Sequence, residues 1–189
     1  MKSMNLKSLA TGIALSAIIF STQAQTMDNT VMVGGESMYP TKNIVENAVN
    51  SKKHTTLVAA VKAAGLVETL QSKGPFTVFA PVNDAFNDLP EGTVPTLLKP
   101  ENKATLTKVL TYHVVSGKYD YAALEKLIMA GKGKATLKTV SGGILTIMKN
   151  GAHNIILKDE SGNIANISTY DVIQSNGVIH VIDTVLMPK

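Results

Sequence analysis

At 189 residues the chain is long enough for one domain with a proper core and too short for two comfortable ones. Its 44% hydrophobic and 17% charged residues exclude a self-repelling disordered polymer, and 5% aromatics without Trp leave Val, Leu, Ile and Ala to build the interior. The formal charge is +4 and every basic residue is Lys, so no guanidinium fork is present for bidentate phosphate or guanine contacts, which argues against a nucleic-acid reader.

Lys2 and Lys7 precede an apolar run from Leu9 to Phe20, and Thr22-Gln23-Ala24 follows with small residues. That order is the pattern of a secretory signal covering residues 1–24, and the run is too short to span a bilayer. The chain has no Cys, so no lipoprotein anchor can follow the signal. Disulfides, thiol nucleophiles, zinc–thiolate sites and iron–sulfur clusters are removed with it. The expected destination is secreted or periplasmic, where the domain must rely on its core. Without the two leader lysines the formal charge falls to about +2.

Residues 25–40 are polar, contain Gly34-Gly35 and end at Tyr39-Pro40, which reads as a flexible arm. From Thr41, a possible cap, Ile44, Val45, Ala48 and Val49 recur at helical spacing. A second helix starts at Thr55 or Thr56 and is interrupted by Gly65; Leu66, Val67 and Leu70 predict a short third. Phe76 to Ala80 predicts a buried strand between Pro75 and Pro81, and Asn83 caps a short helix to Leu89. Pro100-Glu101 opens a helix with an inner stripe of Leu106, Val109 and Leu110. Asp120 caps another, which stops at Gly131.

Beyond Gly131 the pattern changes to short apolar runs separated by Gly-containing turns. Ile144–Met148, Asn154–Lys158, Ile164–Ser168 and Val178–Ile182 are the expected strands. Asn150-Gly151 and Asn176-Gly177 predict tight hairpins whose central residues take positive φ. Helices first and strands later predict an α+β fold.

Three blocks then stand out in order: Phe76-Thr-Val-Phe-Ala-Pro-Val-Asn-Asp-Ala-Phe86, the pair Tyr112-His113, and Asn176-Gly-Val-Ile-His-Val-Ile-Asp-Thr-Val-Leu-Met-Pro188. Together they resemble the fasciclin domain family over residues 41–188. One departure is Val82, where the family often carries Thr or Ser; Asn83 is expected to supply the cap instead. The resemblance implies N-terminal helices packed on a mostly antiparallel sheet or wedge. It also implies an extracellular or periplasmic adhesion module. Reported adhesive motifs of animal members place candidate binding residues at Asp171 with Val172, and at Tyr112 with His113 among Leu110, Val114 and Val115. Some members bind apolar small molecules, carotenoids included, between helices and sheet.

On the residues alone, His113 and His180 read as hydrogen-bonded core groups, and Asp183 as a turn or buried acceptor. No G-x-S-x-G, H-E-x-x-H, phosphate loop or reactive thiol is present, so no enzyme is expected. The four histidines lack ligand spacing. Met27, Met32 and Met38 suit copper(I) or haem in kind but in no regular motif, so they read as adaptable packing and neither a metal nor a cofactor is expected. The expected partner is a cell-surface or matrix protein or polysaccharide, with an apolar small molecule as the alternative. Intact-mass analysis of exported chain should give an N-terminus at or near Gln25; retention of Met1 would contradict the signal assignment.

Overall fold

The computed structural model describes residues 30–189. The signal, its cleavage site and Met27 lie outside them. The stretch expected to be a flexible arm forms a hairpin from residue 31 on, with strands β1 (Val31–Val33) and β2 (Glu36–Met38). Gly34 and Gly35 both take positive φ, at 65° and 83°, which a two-residue turn of this hand requires. Val33 and Met38 are buried in the helical core, so this hairpin is part of the domain. Met32 faces the other way and is exposed, so the hairpin does not gather its thioethers.

Helix α1 (Ile44–Ala48) begins later than Thr41 because Asn43 makes a capping box: its side chain accepts the Val45 and Glu46 amides, and Glu46 accepts the Asn43 amide. Helix α2 (Thr55–Ala64) ends at Gly65 with φ 74°, and α3 (Val67–Gln71) follows. Strand β3 (Phe76–Pro81) leads into α4 (Asn83–Asn87), a helix α5 (Thr93–Leu97) that the sequence did not announce, and a 3-10 turn at Pro100–Asn102. Next come α6 (Lys103–Tyr112), β4 (Val114–Ser116) and α7 (Tyr121–Ala130), the last capped by Asp120 as expected. Strands β5 (Lys134–Lys138), β6 (Ile144–Asn150), β7 (Asn154–Lys158), β8 (Ile164–Gln174) and β9 (Gly177–Ile182) complete the chain.

Seven strands form one sheet in the order β4-β3-β9-β8-β7-β6-β5. It is antiparallel except for the β3–β9 pair, which runs parallel from Phe76↔Gly177 to Pro81↔Ile182. Every residue of β9 is buried, as are five of the six in β3, because both faces of this pair are covered. Alternation along the strands divides the interior in two. Val78, Ala80, Ile179 and Val181 face α1, α2, α3 and α6. Phe79 and Ile182 face a second core with Tyr112, Leu124, Ile128, Leu145 and Leu157. The sheet curls around this second core: Val115 bridges Thr139, and the Val140 amide donates to Val114 O at 2.8 Å, joining the two ends.

Both Asn-Gly turns differ from the expectation. Asn150-Gly151 opens a three-residue loop, since Asn150 pairs with Asn154. At the other, Gln174 pairs with Gly177, so the loop is Ser175-Asn176 and neither Asn176 nor Gly177 has positive φ. Gly177 is required by contact: a Cβ there would sit 2.0 Å from Phe76 O. The Asn176 side chain is buried and accepts the Ile44 amide at 3.0 Å while donating to Leu70 O at 2.7 Å and Ser72 O at 2.9 Å. It thus joins the start of α1 and the end of α3 to the β8–β9 turn. Asn176→Ala should lower stability by about 2–3 kcal/mol in urea denaturation, since three backbone groups, those of Ile44 and Leu70 buried, lose their partner. An unchanged midpoint would show that water replaces all three.

Candidate functional site

The structure separates the four expected contact residues. Tyr112 is fully buried: its hydroxyl donates to Ile144 O at 2.8 Å and accepts the Glu160 amide at 3.1 Å. Burial pushes its pKa up to about 12. His113, the C-cap of α6, is buried as well. Its Nδ1 donates to Val109 O at 2.8 Å and its Nε2 accepts the Leu186 amide at 2.9 Å, a pairing that fixes the tautomer. Val172 is 1% exposed and packs in the helical core. Those three residues therefore present nothing to a macromolecule, which corrects the surface role expected of them. The reason lies in parity: β8 bulges between Thr169 and Val172, with Asp171 at φ 55°, and the bulge turns Val172 inward.

Asp171 alone of the four is partly exposed, and its carboxylate is engaged. Oδ1 accepts the Tyr121 amide at 2.7 Å, one of the free donors at the start of α7. The Asp171 amide, freed from the ladder by the bulge, donates to His180 Nδ1 at 3.4 Å. His180 Nε2 donates to Tyr119 O at 2.7 Å, and its ring stacks on Phe79 at 5.7 Å. His180 is the hydrogen-bonded core residue that its strand position predicts. Asp183 is an acceptor too, exposed rather than buried, and holds the Asn166 amide and side chain at 2.8 Å each.

Asn83 does not cap its own helix, whose N-cap is Val82 without a side-chain bond. It caps α2 instead: Oδ1 accepts the Thr56 amide at 3.1 Å, and Nδ2 donates to Lys52 O at 2.9 Å. Helix α2 needs this partner because its own N-cap, His54, makes no capping bond.

Two features had no residues assigned to them by the sequence, although the resemblance had allowed for the first. The first is an apolar cavity of about 80 Å³ between α1–α3 and the β3–β9 pair, lined by Val61, Leu66, Leu70, Phe76, Val78 and Ile179 among others. Ser51 and His54 stand in its wall, with Ser51 Oγ 2.8 Å from His54 Nδ1. His54 Nε2 is the buried side-chain nitrogen or oxygen without a hydrogen-bond partner among the described residues. Burial lowers the His54 pKa, and the nearby Ala80 carbonyl counters this without reaching hydrogen-bond geometry. A serine beside a histidine invites a nucleophile–base reading, but among the described residues no carboxylate orients this ring, and both residues are buried.

The second feature is the outer face of β5–β8. Leu137, Leu145, Ile147, Ile155, Leu157 and Ala165 point inward against Leu124 and Ile128 of α7. The alternate residues point outward, and no described residue covers them.

The fasciclin domain model matches residues 52–188. The chain belongs to the fasciclin domain family. This fasciclin domain is 43% identical over 180 residues to Protein sll1483 of Synechocystis sp., covering 94% of this chain and 92% of that protein. It is 33% identical over 150 residues to the transforming growth factor-beta-induced protein ig-h3 of Sus scrofa, covering 79% of this chain and 20% of the relative. Among solved structures, it superposes on a FAS1 domain pair from the insect cell adhesion molecule Fasciclin I with a TM-score of 0.69 at 20% identity, over 79% of this chain and 52% of that one. The α+β fold and the family read from the three sequence blocks are both established by these likenesses.

Buried neutral histidines make the domain acid-sensitive. Burial holds His113 down at about 4 and lowers His54 and His180 as well. Their contribution is present above about pH 6.5, the unfolded value, and is lost as pH falls toward the folded values. His113 alone should cost about 2 kcal/mol between pH 7 and pH 5. Urea midpoints at the two pH values test this, with His113→Gln narrowing the difference; equal midpoints would contradict it.

Proposed function

We propose that this fasciclin domain is an exported binding module that holds a partner on its surface and performs no catalysis. The observation that carries this reading is the uncovered outer face of β5–β8, an extended sheet surface backed by a packed core. Interior polar groups favour the same conclusion: His113, His180 and Tyr112 are engaged with backbone partners. Family membership supports it, since a fasciclin-type fold occurs in a cell adhesion molecule. No helix among the described residues is long and apolar enough to cross a membrane.

A second reading, a carrier for an apolar small molecule, is favoured by the cavity beneath α2. Its volume suits a short alkyl chain or a small ring rather than a long polyene such as a carotenoid. The unpartnered His54 Nε2 offers one polar anchor. An absorption spectrum and organic extract of protein purified from its native compartment test it; a colourless sample with an empty extract would leave the surface reading alone.

For the surface reading, Thr146→Asp in the middle of the outer face should reduce adherence to isolated cell-surface material about tenfold while the fold survives. Asp171→Ala should adhere like wild type but lose about 1–2 kcal/mol of stability, because α7 loses a capping acceptor and Ala fits poorly at φ 55°. Full adherence by the folded Thr146→Asp variant would remove this face from the contact. Loss of adherence by a folded Asp171→Ala variant would restore Asp171 as a contact residue.

A further inference from the structure

We propose that the outer face of β5–β8 docks on an anionic lipid surface, an inference that rests on the surface reading above and names its partner. The strand register fixes which side chains share this face. Lys134, Met148, Ile156 and Asn166 form one cross-strand row; Thr136, Thr146, Lys158 and Ile164 form the next; Lys138 and Ile144 form a third. None of these ten residues is acidic. Lys134, Lys138 and Lys158 are exposed, and none is in a salt bridge among the described residues. Glu160 and Asp183 stand at the rim as anions, held by backbone amides, Ile144 and Lys189 for the first and Asn166 for the second, which also donates its side chain, so three lysines on the face outnumber two carboxylates at its edge.

From strand geometry the three ammonium-bearing residues mark a triangle with edges of about 12–13 Å. That spread is too wide for one phosphate and suits a plane of separate anions. Ile144 and Ile164 are 49% and 50% exposed beside the lysines, with Met148 and Ile156 partly exposed between them. Aliphatic groups interspersed with lysines on one exposed face match the boundary between headgroups and acyl chains. The face has no aromatic ring for sugar stacking and no Arg for bidentate sulfate or carboxylate recognition, which disfavours an acidic polysaccharide. A second copy of the same face would be repelled by its own charge. Lysines near an anionic bilayer each contribute about fivefold in partitioning, so three give roughly 100-fold, and binding is reversible and salt-sensitive.

The test uses the chain without residues 1–24 and sedimentation with vesicles of phosphatidylglycerol and phosphatidylcholine, with phosphatidylcholine alone as control. We expect binding to the anionic vesicles at low ionic strength, release by salt, and none to the control. A Lys134→Gln, Lys138→Gln, Lys158→Gln variant with an unchanged melting temperature should lose roughly 100-fold in partitioning. A Lys73→Gln, Lys99→Gln, Lys126→Gln variant of equal net charge should lose little. Equal loss in both variants would overturn the face in favour of net charge. Absence of vesicle binding, with Lys-dependent retention on an acidic polysaccharide such as alginate, would overturn the lipid while keeping the surface. If neither is bound and Thr146→Asp adheres to cell-surface material like wild type, the surface reading falls too.

Discussion

The parallel pairing of β3 with β9 is the constraint on which the rest of the molecule depends. A parallel pair cannot be closed by a hairpin, so the whole chain between Pro81 and Gly177 is spent returning to it. Both faces of the pair are buried, and the two-residue period sends alternate side chains into two separate cores. The helices of the first half cover one face, and the curled remainder of the sheet with α7 covers the other. A chain with few aromatics can fill both, because Val, Ile and Leu pack well on a pleated surface.

That arrangement creates a problem of polar satisfaction, and the signature residues are its answer. Where β8 bulges, its freed amide finds His180; where α6 stops, His113 returns to Val109 and reaches Leu186; where the β8–β9 turn meets the helices, Asn176 serves three backbone groups. Each is buried in surroundings where an unmet donor or acceptor would cost free energy. The residues that stand out most in the sequence are therefore those that hold the fold together. His54 differs, with one nitrogen unpaired at the wall of an apolar cavity.

The sheet has a different character at its two ends. Around β3 and β9 it is an interior layer, whereas at β5–β8 it is one-sided, with an apolar inner face and a lysine-bearing outer face. One-sided exposure is normal for antiparallel strands. The outer face here combines half-exposed isoleucines with exposed lysines, and its only acidic neighbours among the described residues, Glu160 and Asp183, stand at the rim.

The sequence by itself determined what depends on local order. Asp120 as a cap, Gly65 as a stop, the apolar stripe of α6 and the run of β9 are legible because caps and periodicities act over a few residues. The three ordered blocks carried the family for the same reason. Local grammar also hid things: Gly34-Gly35 between two short strands read as a linker, and β5, with only Leu137 buried, gave too little alternation to be noticed. Tertiary structure decided the rest. Asn83 caps α2 and not its own helix, Asp171 serves α7, and a bulge turns Val172 inward, because each outcome depends on which distant backbone group arrives beside the side chain. Whether Tyr112 and His113 face a partner or a core is likewise a matter of strand register and helix packing, set by contacts between residues far apart in the chain.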